Sequence, residues 1–175
     1  MQKAKQRSEI AQQDKWRIED IYATDEAWEA DYNECIRRAK EKCAYQGRLA
    51  ESALILYQAL KESDEADLLV EHVYVYAFMK YYEDTANAVY QEMSGRAQAA
   101  VTKLSEKYAF LTPEILAIDQ KKMQEYLSSD TLALYRHALE DILVKKDHAL
   151  SEKEERLLAM AGQVTASPNE IFSKF

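Results

Sequence analysis

The chain has 175 residues, of which 47% are apolar and 31% charged, and its 31 acidic against 23 basic residues give a formal net charge of −8. This composition indicates a globular protein with a hydrophobic core, and the acidic balance disfavours nucleic acid and anionic membranes as partners because both require a basic face. The sequence contains no apolar run of about 18 residues, and its N-terminus lacks the apolar core of a signal peptide. We therefore expect a cytoplasmic protein without a membrane span.

Three glycines and two prolines leave little room for the tight turns of β-sheets. The sequence therefore predicts an all-α array of about seven helices, with antiparallel neighbours joined by short loops. Residues 1–23 are predicted to be an N-terminal arm, and residues 24–175 a helical domain. Within the arm, Trp16, Ile18 and Ile21 are the side chains expected to tie it to the body.

The first long helix is predicted to begin at Thr24 or Asp25, because a hydroxyl or carboxylate there can accept hydrogen bonds from the first free amides. Gly47 is predicted to end this helix in a left-handed conformation. The apolar stripe between these ends follows helical spacing, and its members are Trp28, Tyr32, Cys35, Ile36, Ala39 and Cys43.

The central stretch of the chain is residues 68–93, where residues 73–79 are all apolar or aromatic. A Val-Tyr-Val-Tyr sequence favours a strand, but the run has no turn signal beside it and continues at helical spacing. We therefore expect a helix over Leu68–Tyr82 near the centre of the protein. A separate helix is predicted over 49–62, with Ser63-Asp64-Glu65 as the start signal between the two.

Thr85 is predicted to cap a fourth helix that contains Gly95, and glycine inside a helix suggests a close neighbour there. Thr112-Pro113-Glu114 is predicted to open a fifth helix, with a capping hydroxyl directly before a proline. Ser128-Ser129-Asp130 breaks that pattern and opens a sixth helix.

A capping box at Ser151-Glu152-Lys153-Glu154 predicts the seventh helix. Another capping box, over residues 167–170, is followed by Ile171, Phe172 and Phe175. A helix this short is marginal alone, so the sequence reads as one that continues beyond Phe175. We expect the two cysteines, Cys35 and Cys43, to be free thiols, because eight residues of helix separate them by about 12 Å.

No constellation of catalytic or metal-binding residues is recognisable in the sequence. The three histidines, His72, His137 and His148, fall in no H-E-x-x-H motif, and His137 with Glu140 lacks the closing histidine of H-x-x-E-H. Glu-x-x-His pairs and a glycine-rich phosphate loop are also missing. The tyrosines could line a peptide groove, although a core role is more typical. We therefore predict no catalytic, cofactor-binding or metal residue in this segment.

Five short segments, in order, resemble the oligoendopeptidase F family of zinc metallopeptidases, and the similarity extends over almost the whole chain from about Arg7. The opening Trp16-Arg17-Ile18-Glu19-Asp20-Ile21-Tyr22, followed by Trp28, carries the first part of the resemblance. The later segments are Tyr76-Ala77-Phe78-Met79-Lys80; Asp84-Thr85 with Asn87; Pro113-Glu114-Ile115-Leu116; and His148-Ala149-Leu150-Ser151 with Glu154-Glu155 and Leu157-Leu158-Ala159.

The resemblance implies a cytoplasmic enzyme that cleaves short peptides internally. It also implies a helical N-terminal region that walls one side of a substrate channel. In the family, zinc is held in a later catalytic region by the histidines of H-E-x-x-H and a downstream glutamate, and the glutamate within the motif activates water. This sequence has none of these residues, so zinc is expected in the full-length parent and none in this segment.

Two functions remain open at this stage. In the first, the chain is the N-terminal helical domain of such a peptidase, without the catalytic domain, and has an exposed apolar face where that domain would dock. The expected partners are then the catalytic region and, in the parent, short peptides, with self-association through the exposed face as a consequence. In the second, the chain is a stand-alone helical interaction module without enzymatic activity.

Overall fold

The computed structural model describes residues 9–144, and every structural statement below concerns these residues. They contain no strand, so the all-α prediction is confirmed for the part of the chain described. The α-helices are α1 (Asp25–Lys40), α2 (Ala53–Glu83), α3 (Ala88–Tyr108), α4 (Leu111–Ala117), α5 (Gln120–Leu127) and α6 (Arg136–Val144). Short 3-10 helices span Gln12–Asp14, Ile18–Asp20 and Asp130–Tyr135.

The chain divides into two compact units, Met1–Tyr135 and Arg136–Phe175. The described part of the second unit is helix α6. The predicted seventh helix and the C-terminal capping box lie outside the described residues. Among the helices of residues 9–144, none is long and apolar enough to cross a membrane.

The core of the first unit lies between α1, α2 and α3, each of which packs against the other two. As predicted, the aromatic stretch is helical and central, because α2 buries apolar side chains along most of its length and packs against both other long helices. The buried apolar side chains of these helices are Trp28 and Cys35 from α1; Leu56, Ala59, Ala66, Val70, Val73, Tyr76 and Ala77 from α2; and Met93, Ala97, Ala100, Leu104 and Tyr108 from α3.

Local capping fixes the beginnings of the long helices. Thr24 caps α1 as predicted, since its hydroxyl oxygen accepts from the Ala27 amide at 3.2 Å. The prediction for α3 was wrong: Asn87, not Thr85, is the capping residue, and its side-chain oxygen accepts from the Val89 amide at 3.0 Å.

The predicted break at Ser63-Asp64-Glu65 was also wrong, because α2 runs without interruption for 31 residues. This segment contains no glycine or proline to stop a helix, and Ser63 is itself buried on the side of α2 that faces the core. Packing of that side therefore overrides the local start signal. A capping sequence predicts a boundary only where tertiary packing does not hold the chain in the helix.

The predicted fifth helix is two helices, α4 and α5, separated at Ile118 and Asp119. Thr112 is not the cap of α4, which begins one residue earlier after Phe110 and has no side-chain cap. The predicted close neighbour of Gly95 is also missing: apart from the backbone of its own helix, no atom of the described structure lies within 4 Å of where a Cβ would stand.

The N-terminal segment is held differently from the prediction. Ile18 and Tyr22 are buried, whereas Trp16 is 60% exposed and Ile21 is half-buried. Helix α1 ends at Lys40 rather than at Gly47, although Gly47 does adopt the predicted left-handed conformation, with φ of 81° in the following turn. Helix α1 therefore ends before Gly47, and this glycine belongs to the loop that follows.

Candidate functional site

A polar cleft of about 450 Å³ lies between the Ile18–Asp20 turn, the start of α1, the end of α2 and the start of α3. At its wall, the Tyr76 hydroxyl donates to Asp25 Oδ1 at 2.7 Å. Lys80 Nζ lies 3.5 Å from the same oxygen and 5.3 Å from the ring centroids of both Tyr76 and Tyr90. The Asp25 carboxylate of α1 therefore contacts both the Tyr76 phenol and the Lys80 ammonium group of α2.

The Asp25 contacts with Tyr76 and Lys80 give this cleft a structural role. Its lining includes no histidine, cysteine or serine, so it offers no nucleophile paired with an imidazole base. Burial, followed by the hydrogen bond to Asp25, raises the pKa of Tyr76, which keeps the phenol protonated as a donor at neutral pH. The arrangement stabilises the meeting point of three helices and can accept a small polar group.

Three further tyrosines make the same kind of contact, and together we call the four the tyrosine–carboxylate pairs. Each hydrogen bond joins a tyrosine hydroxyl to a carboxylate from a different part of the fold. Burial is the largest cause of the raised pKa of each of the four phenols. The other three hydroxyl donors and their acceptors are Tyr22 to Asp31 at 2.8 Å, Tyr108 to Glu62 at 2.9 Å, and Tyr135 to Asp64 at 2.7 Å.

Trp28 anchors α1 on the middle of α2. Its side chain is fully buried, and its indole N–H donates to the Val73 carbonyl at 2.8 Å. The ring stacks on Tyr32, with centroids 5.4 Å apart, and the Arg96 guanidinium lies over both rings. Arg96 in turn pairs with Glu29, so α1 and α3 are joined beside the indole.

Glu114 has a role that sequence analysis missed. Its two carboxylate oxygens accept from the Gly47 amide at 2.9 Å and from the Leu49 amide at 2.8 Å. The start of α4 thereby holds the loop between α1 and α2. The partners lie 67 and 65 positions apart in sequence, so no local pattern could have indicated the contact.

No metal site is present in the described range. Residues 9–144 contain no group of three histidine, cysteine or carboxylate side chains placed to hold a metal ion. His72 and His137 are exposed, and His137 Nε2 lies 3.7 Å from Asp141 Oδ2, one helical turn away. His148 lies outside the described residues. The prediction that the segment has no catalytic or metal residue stays a prediction.

The side of α2 that points away from the core carries exposed apolar residues, and we call it the outer face of α2. Leu68, Val75 and Tyr82 lie along it and are 58%, 36% and 65% exposed. Phe78 lies between the last two; its ring centroid is 4.2 Å from that of Tyr74 and 6.1 Å from that of Tyr82. The outer face thus carries several aromatic and aliphatic side chains along the central helix.

Comparison with known proteins relates these features to a family. A sequence model described as Oligopeptidase F matches residues 114–175. Oligopeptidase PepF of Bacillus subtilis (strain 168) is 40% identical over 168 residues, which are 95% of this chain and 25% of that protein. An oligoendopeptidase F homolog of Lactococcus lactis subsp. lactis (strain IL1403) is 38% identical over 98% of this chain and 29% of its own length.

Two solved structures share the fold. The oligoendopeptidase-F of Enterococcus faecium superposes with a TM-score of 0.70 at 30% identity, over 85% of this chain and 29% of that chain. A structure from Chlamydophila abortus gives a TM-score of 0.76 at 25% identity, over 98% of this chain and 29% of that chain. The chain corresponds to the N-terminal helical region of the oligoendopeptidase F family.

The chain therefore spans between a quarter and a third of the length of the relatives it matches. The segments that carried the resemblance now have physical roles within the described residues. Trp28 and Tyr76 join α1 to α2, Asn87 caps α3, and Glu114 holds the loop before α2. Within the described residues, these segments supply packing and capping contacts.

Proposed function

We propose that this chain is the N-terminal helical domain of a zinc-dependent oligoendopeptidase that hydrolyses short peptides. In this proposal the segment shapes the substrate channel, and every catalytic residue belongs to a part of the peptidase that the chain does not span. The observation that carries the proposal is the 40% identity to a Bacillus subtilis oligopeptidase over nearly the whole chain but only a quarter of the relative.

The described residues do not fit a zinc site of their own. A catalytic zinc ion needs three protein ligands, and the described residues bring no such set together. The sequence also lacks H-E-x-x-H. We therefore route no step of hydrolysis through these residues, and we assign zinc to the catalytic region of the parent.

In this proposal the described helices have a structural role. The three pairs Trp28–Val73, Tyr76–Asp25 and Tyr108–Glu62 join neighbouring long helices, which gives a rigid wall. A rigid wall supports peptide cleavage by restricting how a substrate can lie and by excluding long or folded chains. In the proposal, residues 1–23 are the arm of this domain and residues 24–175 its body.

The net charge of −8 disfavours nucleic acid and anionic membranes as partners. A cytoplasmic location is a further part of the proposal. The exposed outer face of α2 also supports self-association of the isolated chain.

The test is a hybrid in which this chain replaces the matching quarter of the Bacillus subtilis oligopeptidase. We expect the hybrid to cleave a fluorogenic oligopeptide and a chelator to stop it, while the isolated chain cleaves nothing and binds zinc weakly. A folded hybrid without turnover would count against the proposal, as would chelator-sensitive cleavage by the pure isolated chain.

A second function is favoured by one observation, the exposed outer face of α2. A stand-alone interaction module would use such a face to bind a partner helix or peptide. The hybrid separates the two, because an interaction module of independent function has no reason to restore peptide cleavage in another protein.

A further inference from the structure

The outer face of α2 is long enough to be an interface. Leu68, Val75 and Tyr82 are spaced seven residues apart, close to two helical turns, so their side chains lie nearly in line over about 21 Å. They point away from the buried side of α2, which carries Val73 and Ala77. The three are among the exposed large apolar side chains of the described structure.

Exposure of single apolar side chains is ordinary, whereas a contiguous group marks a contact surface. Here the exposed Tyr82 belongs to a group of rings around Phe78, whose centroid lies 6.1 Å from that of Tyr82 and 6.4 Å from that of Tyr81. Glu71 and His72 are the two polar residues between Leu68 and Val75. The surface is therefore mainly aromatic and aliphatic along its length.

One end of this face is acidic. Asp64, Asp67 and Glu71 lie on consecutive turns of α2 beside Leu68. Partial desolvation, followed by the charges of Asp64 and Glu71, raises the pKa of Asp67. A basic group placed there by an occupant would relieve the repulsion. The complementary surface thus has an apolar centre and a cationic rim at the Leu68 end.

The comparisons indicate what this occupant is. In the Enterococcus faecium structure the same fold makes up 29% of a longer chain, and in the Bacillus subtilis relative the match is 25% of the length. This fold thus occurs together with more than twice its own length of further polypeptide. Resting on the proposed function, we propose that the catalytic region of the parent peptidase docks on the outer face of α2, through an apolar surface with a basic rim.

Site-resolved thiol labelling tests this without perturbing the interface strongly. Val75→Cys and Tyr82→Cys place thiols on the face, and Ala99→Cys places a matched thiol at an exposed position of α3. Each variant is made in the isolated chain and in the hybrid with the Bacillus subtilis oligopeptidase, and maleimide labelling is followed peptide by peptide by mass spectrometry. Because labelling is followed peptide by peptide, the introduced thiols are distinguished from the native thiols Cys35 and Cys43.

We expect the thiols introduced by V75C and Y82C to label at least about tenfold more slowly in the active hybrid than in the isolated chain, because a docked thiol reacts only when the interface opens. The thiol introduced by A99C should label equally in both. Val75→Glu should also lower the activity of the hybrid, whereas Ala99→Glu should leave it unchanged.

Three outcomes would overturn the docking proposal. Equal labelling of V75C and Y82C in an active hybrid and in the isolated chain would show that the face is not covered. Protection in the hybrid that requires added peptide would assign the face to substrate, and protection in the hybrid that disappears on dilution would assign it to a second copy. Loss of activity in the unmodified hybrid is a different result, since it contradicts the proposed function itself.

Discussion

Replacing Trp28 by phenylalanine tests whether the indole is the anchor between α1 and α2. The change removes the hydrogen bond to the Val73 carbonyl, worth about 1 kcal/mol. It also removes part of a fully buried ring, which costs about 1–2 kcal/mol, less than complete truncation to alanine would. Contact with the Arg96 guanidinium contributes about 0.5 kcal/mol more. We therefore expect the free energy of unfolding to fall by about 2–4 kcal/mol.

The chain supplies its own control, because its second tryptophan is exposed. Trp16→Phe makes the same chemical change at a side chain that is 60% exposed, and we expect it to alter the unfolding free energy by less than about 0.5 kcal/mol. Urea unfolding followed by far-UV circular dichroism measures both variants without relying on tryptophan fluorescence. Equal costs at the two positions, or no loss at Trp28, would refute the anchoring role.

Three further predictions concern other contacts. Glu114→Gln leaves one of the Gly47 and Leu49 amides without its acceptor, so the free energy of unfolding should fall by about 1–3 kcal/mol. The protection of these amides from hydrogen exchange should also decrease, and unchanged protection would contradict the role of Glu114. The phenols of the tyrosine–carboxylate pairs have raised pKa values in the folded state, so the stabilisation they give is fully present below the pKa of an unfolded tyrosine, about 10, and is lost as the pH rises above it. Urea unfolding between about pH 8 and about pH 11 should therefore show a fall in stability only at the alkaline end. A flat profile would contradict the burial of these phenols. Burial raises the pKa of the Cys35 thiol to about 11, so a thiol reagent at neutral pH should modify Cys43 rapidly and Cys35 only after unfolding; equal rates would contradict the buried position of Cys35.

Features that depend on neighbours in sequence could be predicted. The helical class followed from scarce glycine and proline, and the Thr24 cap followed from a hydroxyl beside the first helical turn. The central position of the aromatic helix followed from apolar residues at helical spacing. Composition or a few nearby residues determine each of these outcomes.

Features that depend on packing could not be predicted from the sequence. Ser63 has the local pattern of a helix start, but burial against the rest of the protein keeps α2 continuous. The Asp25 contacts with Tyr76 and Lys80 join residues far apart in sequence, so the polar cleft could not be located from spacing. The sequence shows that H-E-x-x-H is missing, whereas the exposed residues of the outer face of α2 required the fold.

The most direct measurement of the central claim is peptide hydrolysis by the hybrid of this chain with the Bacillus subtilis oligopeptidase, assayed beside the isolated chain. Our account predicts chelator-sensitive cleavage of a short fluorogenic peptide by the hybrid and none by the chain alone. A hybrid that folds cooperatively but cleaves nothing would contradict the claim that these helices form the N-terminal region of such a peptidase.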